Sequence, residues 1–205
     1  MKTNNIFWIS YSDLMTSLFF IMLVLFVVTI GYLKVQINAT KQQLKKIQEL
    51  QTAVQQLPES YFEYQPKYKR FKLKKQIQFQ TGSANINSQY FYYLNGVGHS
   101  ISDLILKLNS DNKYKGLDIK YLVVIEGMAS MDQFPFNFEL SYKRSLALYK
   151  LWKSDNITFD PKICEVQIAG SGTEGIREYS GDQEYMNQQF LIHIIPKMGK
   201  IIDIQ

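Results

Sequence analysis

The sequence is poor in the residues that build disulfides and metal sites. Its 205 residues include one cysteine, Cys164, and two histidines, His99 and His193. A single cysteine excludes a disulfide within the chain, and without paired Cys and His residues a zinc site is not expected. Cys164 lies in the stretch KICEVQIAG, so we interpret it as a small core residue. The sequence predicts no bound metal and no cofactor.

Catalytic patterns are also missing. No Ser-His or Cys-His arrangement and no nucleophile motif is visible, so an enzyme is not expected. At 46% hydrophobic and 20% charged residues, the chain is too apolar to be disordered. Its length suits one compact domain with an appendage.

The net charge of +5 would permit an anionic partner. The densest basic stretch, residues 67–75, alternates Lys and Arg with Tyr68, Phe71 and Leu73. Two interpretations are open: a nucleic-acid surface, or a half-buried strand with a solvated face. The alternation favours the strand, so nucleic acid is not expected as a partner.

Formal charge is absent from residues 14–33. Roughly 20 apolar residues cross the hydrocarbon core of a bilayer, so residues 1–33 are predicted to form a short tail and a transmembrane helix. A cleaved signal peptide would need a shorter apolar region and a small-residue cleavage site. The residues after Lys34 contain no such site, which favours a retained span.

Asp13 is the one carboxylate at the edge of this apolar run. If the helix begins at Leu14, Ser10 and Asp13 form an S-x-x-D pattern that caps its first turn. If it begins near Ile6, the charge lies inside the membrane, where such residues are usually functional. Hydropathy leaves both alternatives open.

The stretch FWISYSDLMTSLFFIMLVLFVV, residues 7–28, resembles the signature of flagellar stator B subunits (MotB). It resembles still more closely the B subunit of the Zorya phage-defence motor (ZorB). The matching positions are Trp8, Tyr11, Asp13, Met15 and Thr16. The resemblance implies that Asp13 binds a transported proton, possibly a sodium ion, and that Thr16 and Ser17 line its path.

Residues 34–66 are rich in Gln and Lys, with apolar residues close to a 3-4 spacing up to Pro58. This pattern predicts a short amphipathic helix and linker, which forms either a two-stranded coiled coil or a spacer on its own domain. The resembled families use this region to hold a dimer or to plug the channel. We favour the coiled coil and therefore predict a homodimer.

Residues 67–205 alternate strand and helix patterns, which predicts an α+β domain of βαβαββ order. The predicted strands are residues 72–80, 119–127, 163–172 and 189–196, and the predicted helices are residues 88–108 and 137–153. A polar loop at residues 173–186 is long enough to bind a partner or to be mobile.

Several landmarks in residues 70–197 resemble the OmpA-like peptidoglycan-binding domain. They are FQTGSANI, VVIEG, NFELSYKRS, AGSG and NQQFLIHIIP. The resemblance implies that Arg144 grips the diaminopimelate of cell-wall peptides, and Asn137 and Leu140 match on the same helical face. A guanidinium fork suits a carboxylate.

Two departures from the family pattern concern charge. Ser130 stands where the family has a ligand-binding aspartate, and Asp132 follows two residues later as a candidate replacement. Near the last strand, Asn187-Gln188-Gln189 stands where the family has Asn-Arg-Arg. The predicted pocket therefore keeps its anion-binding half and loses its acidic half, unless Asp132 reaches it.

Together these features predict the B subunit of a MotA/MotB-like, proton-driven rotary motor, of the Zorya-like anti-phage type. The resemblance implies a dimer inside a ring of MotA- or ZorA-like multi-span subunits, anchored to peptidoglycan by the OmpA-like domain. The alternatives are a flagellar or gliding-type stator B subunit, and a passive single-span tether in which Asp13 is only a cap.

The expected location is the bacterial inner membrane, crossed once, with the N-terminus cytoplasmic and the domain periplasmic. The flanking charges point the other way, because Lys34, Lys41, Lys45 and Lys46 outnumber Lys2 and positive charge favours the cytoplasmic side. We follow the resemblance, because long domains translocate largely regardless of flanking charge.

Overall fold

The computed structural model of the chain describes residues 3–114, 118–132 and 134–198. The chain divides into two compact units, one ending at Glu49 and the other beginning at Leu50. The second unit therefore begins within the segment 34–66 that the sequence assigns to the helix and linker.

The first unit is helical. A single α-helix, α1 (Thr3–Val54), covers both the apolar run and most of the segment predicted as a separate amphipathic helix. Its sequence contains no proline and one glycine, Gly31, so neither of the two strongest helix breakers divides it. In the described part of the chain, α1 alone is long and apolar enough to cross a membrane.

The second unit is a mixed sheet with helices. The strands are β1 (Phe62–Gln65), β2 (Arg70–Leu73), β3 (Ile119–Met128), β4 (Cys164–Gly172) and β5 (Phe190–Met198), in the order β1-β2-β5-β3-β4. β3 and β4 are parallel, and the other neighbouring strands are antiparallel. The helices α2 (Phe91–Ser110) and α3 (Asn137–Ser154) precede and follow β3. Short 3₁₀ helices lie at Ser88–Tyr90, Asn112–Tyr114 and Gly181–Asn187.

The predicted class, an apolar N-terminal helix followed by an α+β domain, is confirmed. The observed order contains a strand, β1, that the predicted βαβαββ order did not include. The strand predicted at residues 72–80 is largely wrong, because the chain leaves the sheet after Leu73. Ile77 is buried and Phe79 is partly buried, while the residues beside them are more exposed. This alternation in burial resembles that of a strand, but the segment pairs with no other strand of the described chain.

The core of the second unit fills the space between the sheet and α2 and α3. Trp152 of α3 is fully buried, and its indole Nε1 donates a hydrogen bond to the Leu94 carbonyl of α2 at 2.8 Å. Leu50 and Val54, the last turns of α1, belong to this core, as does Leu57. These residues pack within their own domain, so the last turns of the predicted coiled-coil seam are not available to a second chain.

The basic stretch at residues 67–75 follows the strand interpretation only in part. Arg70 is buried, its Nε donating to Gln65 Oε1 at 2.8 Å. Lys72 Nζ bonds to Glu178 Oε2 at 2.7 Å. Two of these cations are therefore held inside the domain rather than on a free solvated face.

Candidate functional site

Asp13 lies ten residues after Thr3, roughly three turns into α1. The interpretation of Ser10 and Asp13 as the cap of a helix beginning at Leu14 is therefore wrong, since both lie inside the helix. Of the two helix starts considered, Leu14 and a position near Ile6, the structure agrees with the earlier one, because α1 begins at Thr3.

Thr16 and Ser17 lie on the same helical face as Asp13, three and four residues later. Thr16 Oγ1 donates to the Ser12 carbonyl at 2.7 Å, and Ser17 Oγ to the Asp13 carbonyl at 3.0 Å. Because both hydroxyl protons point at the backbone, the two hydroxyl oxygens keep lone pairs for an incoming cation. The face thus combines one carboxylate with two oxygen acceptors.

The apolar surface around this face is open within the first unit. The large hydrophobic side chains from Phe7 to Leu33 are all exposed there, between 42% and 68%. So extended an apolar surface needs lipid or another protein to cover it. Asp13, Thr16 and Ser17 therefore belong to a surface that is completed from outside this unit.

In the second unit, small residues fix α3 on the sheet. A Cβ at Gly127 would lie 2.6 Å from Ser145 Oγ, and one at Gly170 would lie 2.6 Å from Ser141 Oγ. Ser145 Oγ donates to the Ala169 carbonyl at 2.9 Å. The face of α3 that carries Ser141 and Ser145 therefore packs against the sheet. The neighbouring face carries Asn137, Leu140 and Arg144, the three predicted ligand residues.

Arg144 is buried rather than solvated, with 2% of its surface exposed. Its Nε donates to the Ser83 carbonyl at 3.1 Å, and its guanidinium lies 4.4 Å from the centre of the Phe79 ring. Nη1 is buried and has no hydrogen-bond partner among the described residues. Burial lowers the pKa of Arg144 to about 10, and nearby Asp132 opposes that shift, so the group is a cation at neutral pH.

Asn137 and Asp132 form the neighbouring part of the site. Asn137 Nδ2 donates to Asp132 Oδ1 at 2.8 Å and to the Phe134 carbonyl at 2.9 Å. Asn137 Oδ1 is buried, and within the described chain it accepts no hydrogen bond. This part of the domain therefore contains a buried unpaired donor on Arg144 and a buried unpaired acceptor on Asn137, and buried polar atoms without partners are unusual enough to mark a candidate site.

Asp132 supplies the carboxylate that Ser130 lacks. Its Oδ2 accepts from Ser130 Oγ at 3.1 Å, and its Oδ1 also accepts from the Phe134 amide at 3.0 Å. Burial would raise the pKa of Asp132, but the hydrogen bonds from Asn137, Phe134 and Ser130 outweigh it and hold that pKa below its usual range. The ionised carboxylate of Asp132, two residues after the position at which the resembled family has its aspartate, thus contacts Asn137.

The two glutamines near β5 take different positions. Gln188 Nε2 donates to Ser130 Oγ at 2.8 Å, so it joins the site as a neutral group. Gln189 is buried, with Nε2 3.9 Å from Met128 Sδ. The positions at which the resembled family has arginines therefore add no positive charge here.

Leu140 is buried and lines a cavity of about 180 Å³ beside Glu139 and Lys143. Gly82 and Ala84 line its other side. Gly82 has a φ of +67°, which glycine adopts without strain, and this turn presents the Ser83 carbonyl to Arg144. Sequence reasoning missed Ser83 and Phe79 as partners of Arg144, because a backbone carbonyl and a ring carry no charge pattern.

Among the described residues, the two histidines and the cysteine form no second site of this kind. His193 Nε2 lies 2.7 Å from Glu126 Oε2, and His99 is exposed. Cys164 is buried, which raises its pKa to about 11. In the described residues, no group of three or more His, Cys, Asp or Glu side chains is placed to hold a metal ion.

The chain is similar to several solved structures. A putative MotB-like protein from Desulfovibrio vulgaris is 13% identical over 77% of this chain and 96% of its own, with a TM-score of 0.45. The periplasmic domain of Helicobacter pylori MotB (residues 97–256) is 14% identical over 66% and 88%, with a TM-score of 0.43. The peptidoglycan-associated lipoprotein from Burkholderia pseudomallei is 14% identical over 59% and 88%, with a TM-score of 0.39. No protein-family model and no curated protein sequence matches the chain.

Proposed function

We propose that this chain is the B subunit of a MotA/MotB-like, ion-driven rotary motor of the Zorya-like anti-phage type. Two copies span the bacterial inner membrane once each inside a ring of MotA- or ZorA-like multi-span subunits. Their N-termini are cytoplasmic and their OmpA-like domains periplasmic. The chain carries protons on Asp13 and catalyses no covalent reaction.

The observation that carries this proposal is the position of Asp13, inside a continuous apolar helix instead of at its end. A carboxylate inside a membrane span is costly, up to roughly 3 kcal/mol at mid-membrane on insertion scales, so such a residue is usually functional. Thr16 and Ser17 add oxygen acceptors on the same face. Alternate protonation of Asp13 would change its preference between apolar partner helices and water, and this alternation drives rotation.

The domain anchors the motor by binding the diaminopimelate-containing peptides of peptidoglycan at Asn137, Leu140 and Arg144. The unpaired Arg144 Nη1 and Asn137 Oδ1 support this part of the proposal, since a diaminopimelate head group carries a carboxylate and an ammonium. Asp132 supplies the negative charge for that ammonium.

The first test is composition. The full chain, tagged at its native locus and extracted in mild detergent, is expected to appear by native mass spectrometry as two copies within a ring of a larger multi-span protein. A lone monomer or dimer, under conditions that preserve a control membrane complex, would favour the passive tether.

The second test is ion flux through that complex. Asp13→Asn is expected to abolish proton flux and phage protection while the complex still assembles, because the amide cannot release a proton. Thr29→Val is the control for an unrelated polar substitution in the same span: Thr29 Oγ1 donates to the Leu25 carbonyl at 2.7 Å, and its loss should leave flux unchanged. Unchanged flux in Asp13→Asn would contradict the motor proposal.

A further inference from the structure

Residues 173–187, between β4 and β5, form a segment that we call the strap. It is held by Asn187, which is fully buried. Asn187 Oδ1 accepts from the Glu178 amide at 3.0 Å, and Nδ2 donates to the Tyr179 carbonyl at 2.8 Å. The side chain thus closes the strap on itself, which gives the strap a defined shape.

The strap contacts the loop that follows β3, residues 129–132, which we call the ligand loop because it contains Ser130 and Asp132. Arg177 Nη2 donates to the Ala129 carbonyl at 2.9 Å. Glu184 Oε1 accepts from the Met131 amide at 2.6 Å. Arg177 and Glu184 also pair with each other. One ion pair therefore holds the backbone on both sides of Ser130.

The ligand loop depends on such outside contacts. Its sequence, Ala-Ser-Met-Asp, contains neither glycine nor proline, and among the described residues its local turn contacts are confined to the Asp132 carboxylate, which accepts from Ser130 Oγ and from the Phe134 amide. The Ala129 carbonyl and the Met131 amide bond to charged side chains, and such hydrogen bonds are stronger than neutral ones. Burial would raise the pKa of Glu184, but Arg177 and the Met131 amide together hold it below its usual range, so the carboxylate stays ionised as an acceptor.

We infer that Arg177 and Glu184 are positioning residues: they hold Ala129 and Met131 so that the Asp132 carboxylate meets both Ser130 and Asn137. The inference rests on the proposed ligand role of the Asn137 and Arg144 site. Neither side chain needs to touch the ligand, because both act through the backbone of the ligand loop.

The test uses the full chain in detergent with two readouts. Hydrogen–deuterium exchange of residues 129–132 reports the ligand loop, and titration with meso-diaminopimelate reports the site. Glu184→Gln and Arg177→Met are expected to speed exchange in the ligand loop and to raise the Kd about tenfold, equivalent to about 1.4 kcal/mol. Glu165→Gln is the matched control, because Glu165 of β4 pairs with Lys197 of β5 at 3.1 Å, and both side chains are exposed at the far end of the sheet from the loop.

A variant in which Arg177 and Glu184 exchange places distinguishes a positioning role from a general contribution to stability. The double variant Arg177→Glu, Glu184→Arg restores an ion pair, but an arginine cannot accept a hydrogen bond from the Met131 amide. We expect it to recover the melting temperature and not the slow exchange or the affinity. Recovery of all three, or unchanged exchange in both single variants, would overturn the inference. If the wild-type chain does not bind diaminopimelate, the proposed ligand fails, and exchange in the ligand loop alone decides the role of Arg177 and Glu184.

Discussion

Arg144 and Asn137 each keep one polar atom buried without a hydrogen-bond partner in the described structure. Leaving a buried donor or acceptor unpaired costs about 1–3 kcal/mol, and more for a charged group. The domain therefore carries a local destabilisation that a ligand could relieve. Ligand-binding sites commonly lower the stability of the folded protein in this way.

Arg144→Met tests this directly. The substitution removes the unpaired Nη1 and keeps a long chain against Phe79, but it loses the bond to the Ser83 carbonyl. We expect the free energy of unfolding to change by less than about 1 kcal/mol, because these effects oppose each other. Binding of diaminopimelate should be lost. The two results come from urea denaturation and from titration.

Lys150→Met provides the control for this variant. Lys150 lies on α3 and is exposed, so its loss should change neither quantity appreciably. If Arg144→Met binds diaminopimelate as the wild-type chain does, Arg144 is a core residue and not a ligand-binding one.

Helix α1 illustrates how one element serves two environments. Its first part presents an apolar surface on all sides, as a membrane span does. Its last turns bury Leu50 and Val54 in the α+β unit. Leu44 remains exposed, so the part of the seam that is free to meet a second helix lies before Leu50.

Leu50→Ala and Leu44→Ala should therefore have different effects. Leu50→Ala is expected to lower the free energy of unfolding by about 2–5 kcal/mol, the range for large-to-small core changes. Leu44→Ala should leave the stability of the domain unchanged and weaken the predicted homodimer. Thermal denaturation measures the first effect and native mass spectrometry the second. Equal loss of domain stability in both variants would contradict the burial described here.

For the molecule as a whole, the boundary between the two units decides what can fold independently. The second unit begins at Leu50 and includes β1, whose four residues pair with β2. A fragment beginning at residue 67, the boundary expected from the sequence, lacks β1 and the buried residues Leu50, Val54, Leu57 and Phe62.

We expect a fragment of residues 47–205 to unfold cooperatively and a fragment of residues 67–205 to be unfolded or aggregated. Each large core residue contributes about 1.5–3 kcal/mol when buried, and a domain has only about 5–15 kcal/mol in total. Circular dichroism during heating distinguishes the two fragments. A cooperative transition in the shorter one would show that the α1 end and β1 are dispensable.

Local sequence patterns were sufficient for some features of this chain. The uncharged run of residues 14–33 predicts a helix able to span a membrane, because apolar length alone sets that requirement. The patterns of α2, α3, β3, β4 and β5 predict those elements, because a helix with one buried face follows the 3.6 repeat and a short apolar run indicates a buried strand. The spacing of Asn137, Leu140 and Arg144 predicts one shared helical face.

Other features depend on residues that are distant along the chain. The Ser83 carbonyl and the Phe79 ring come to Arg144 from more than 60 positions away. Arg177 and Glu184 reach the ligand loop from the strap, and Asp132 meets Asn137 because the loop is held there. Hydrogen bonds to backbone atoms leave no pattern in a single sequence, since any residue supplies the carbonyl or the amide. The helical face of Asp13 follows from local periodicity, whereas the environment of Arg144 follows only from how the sheet, α3 and the strap pack together.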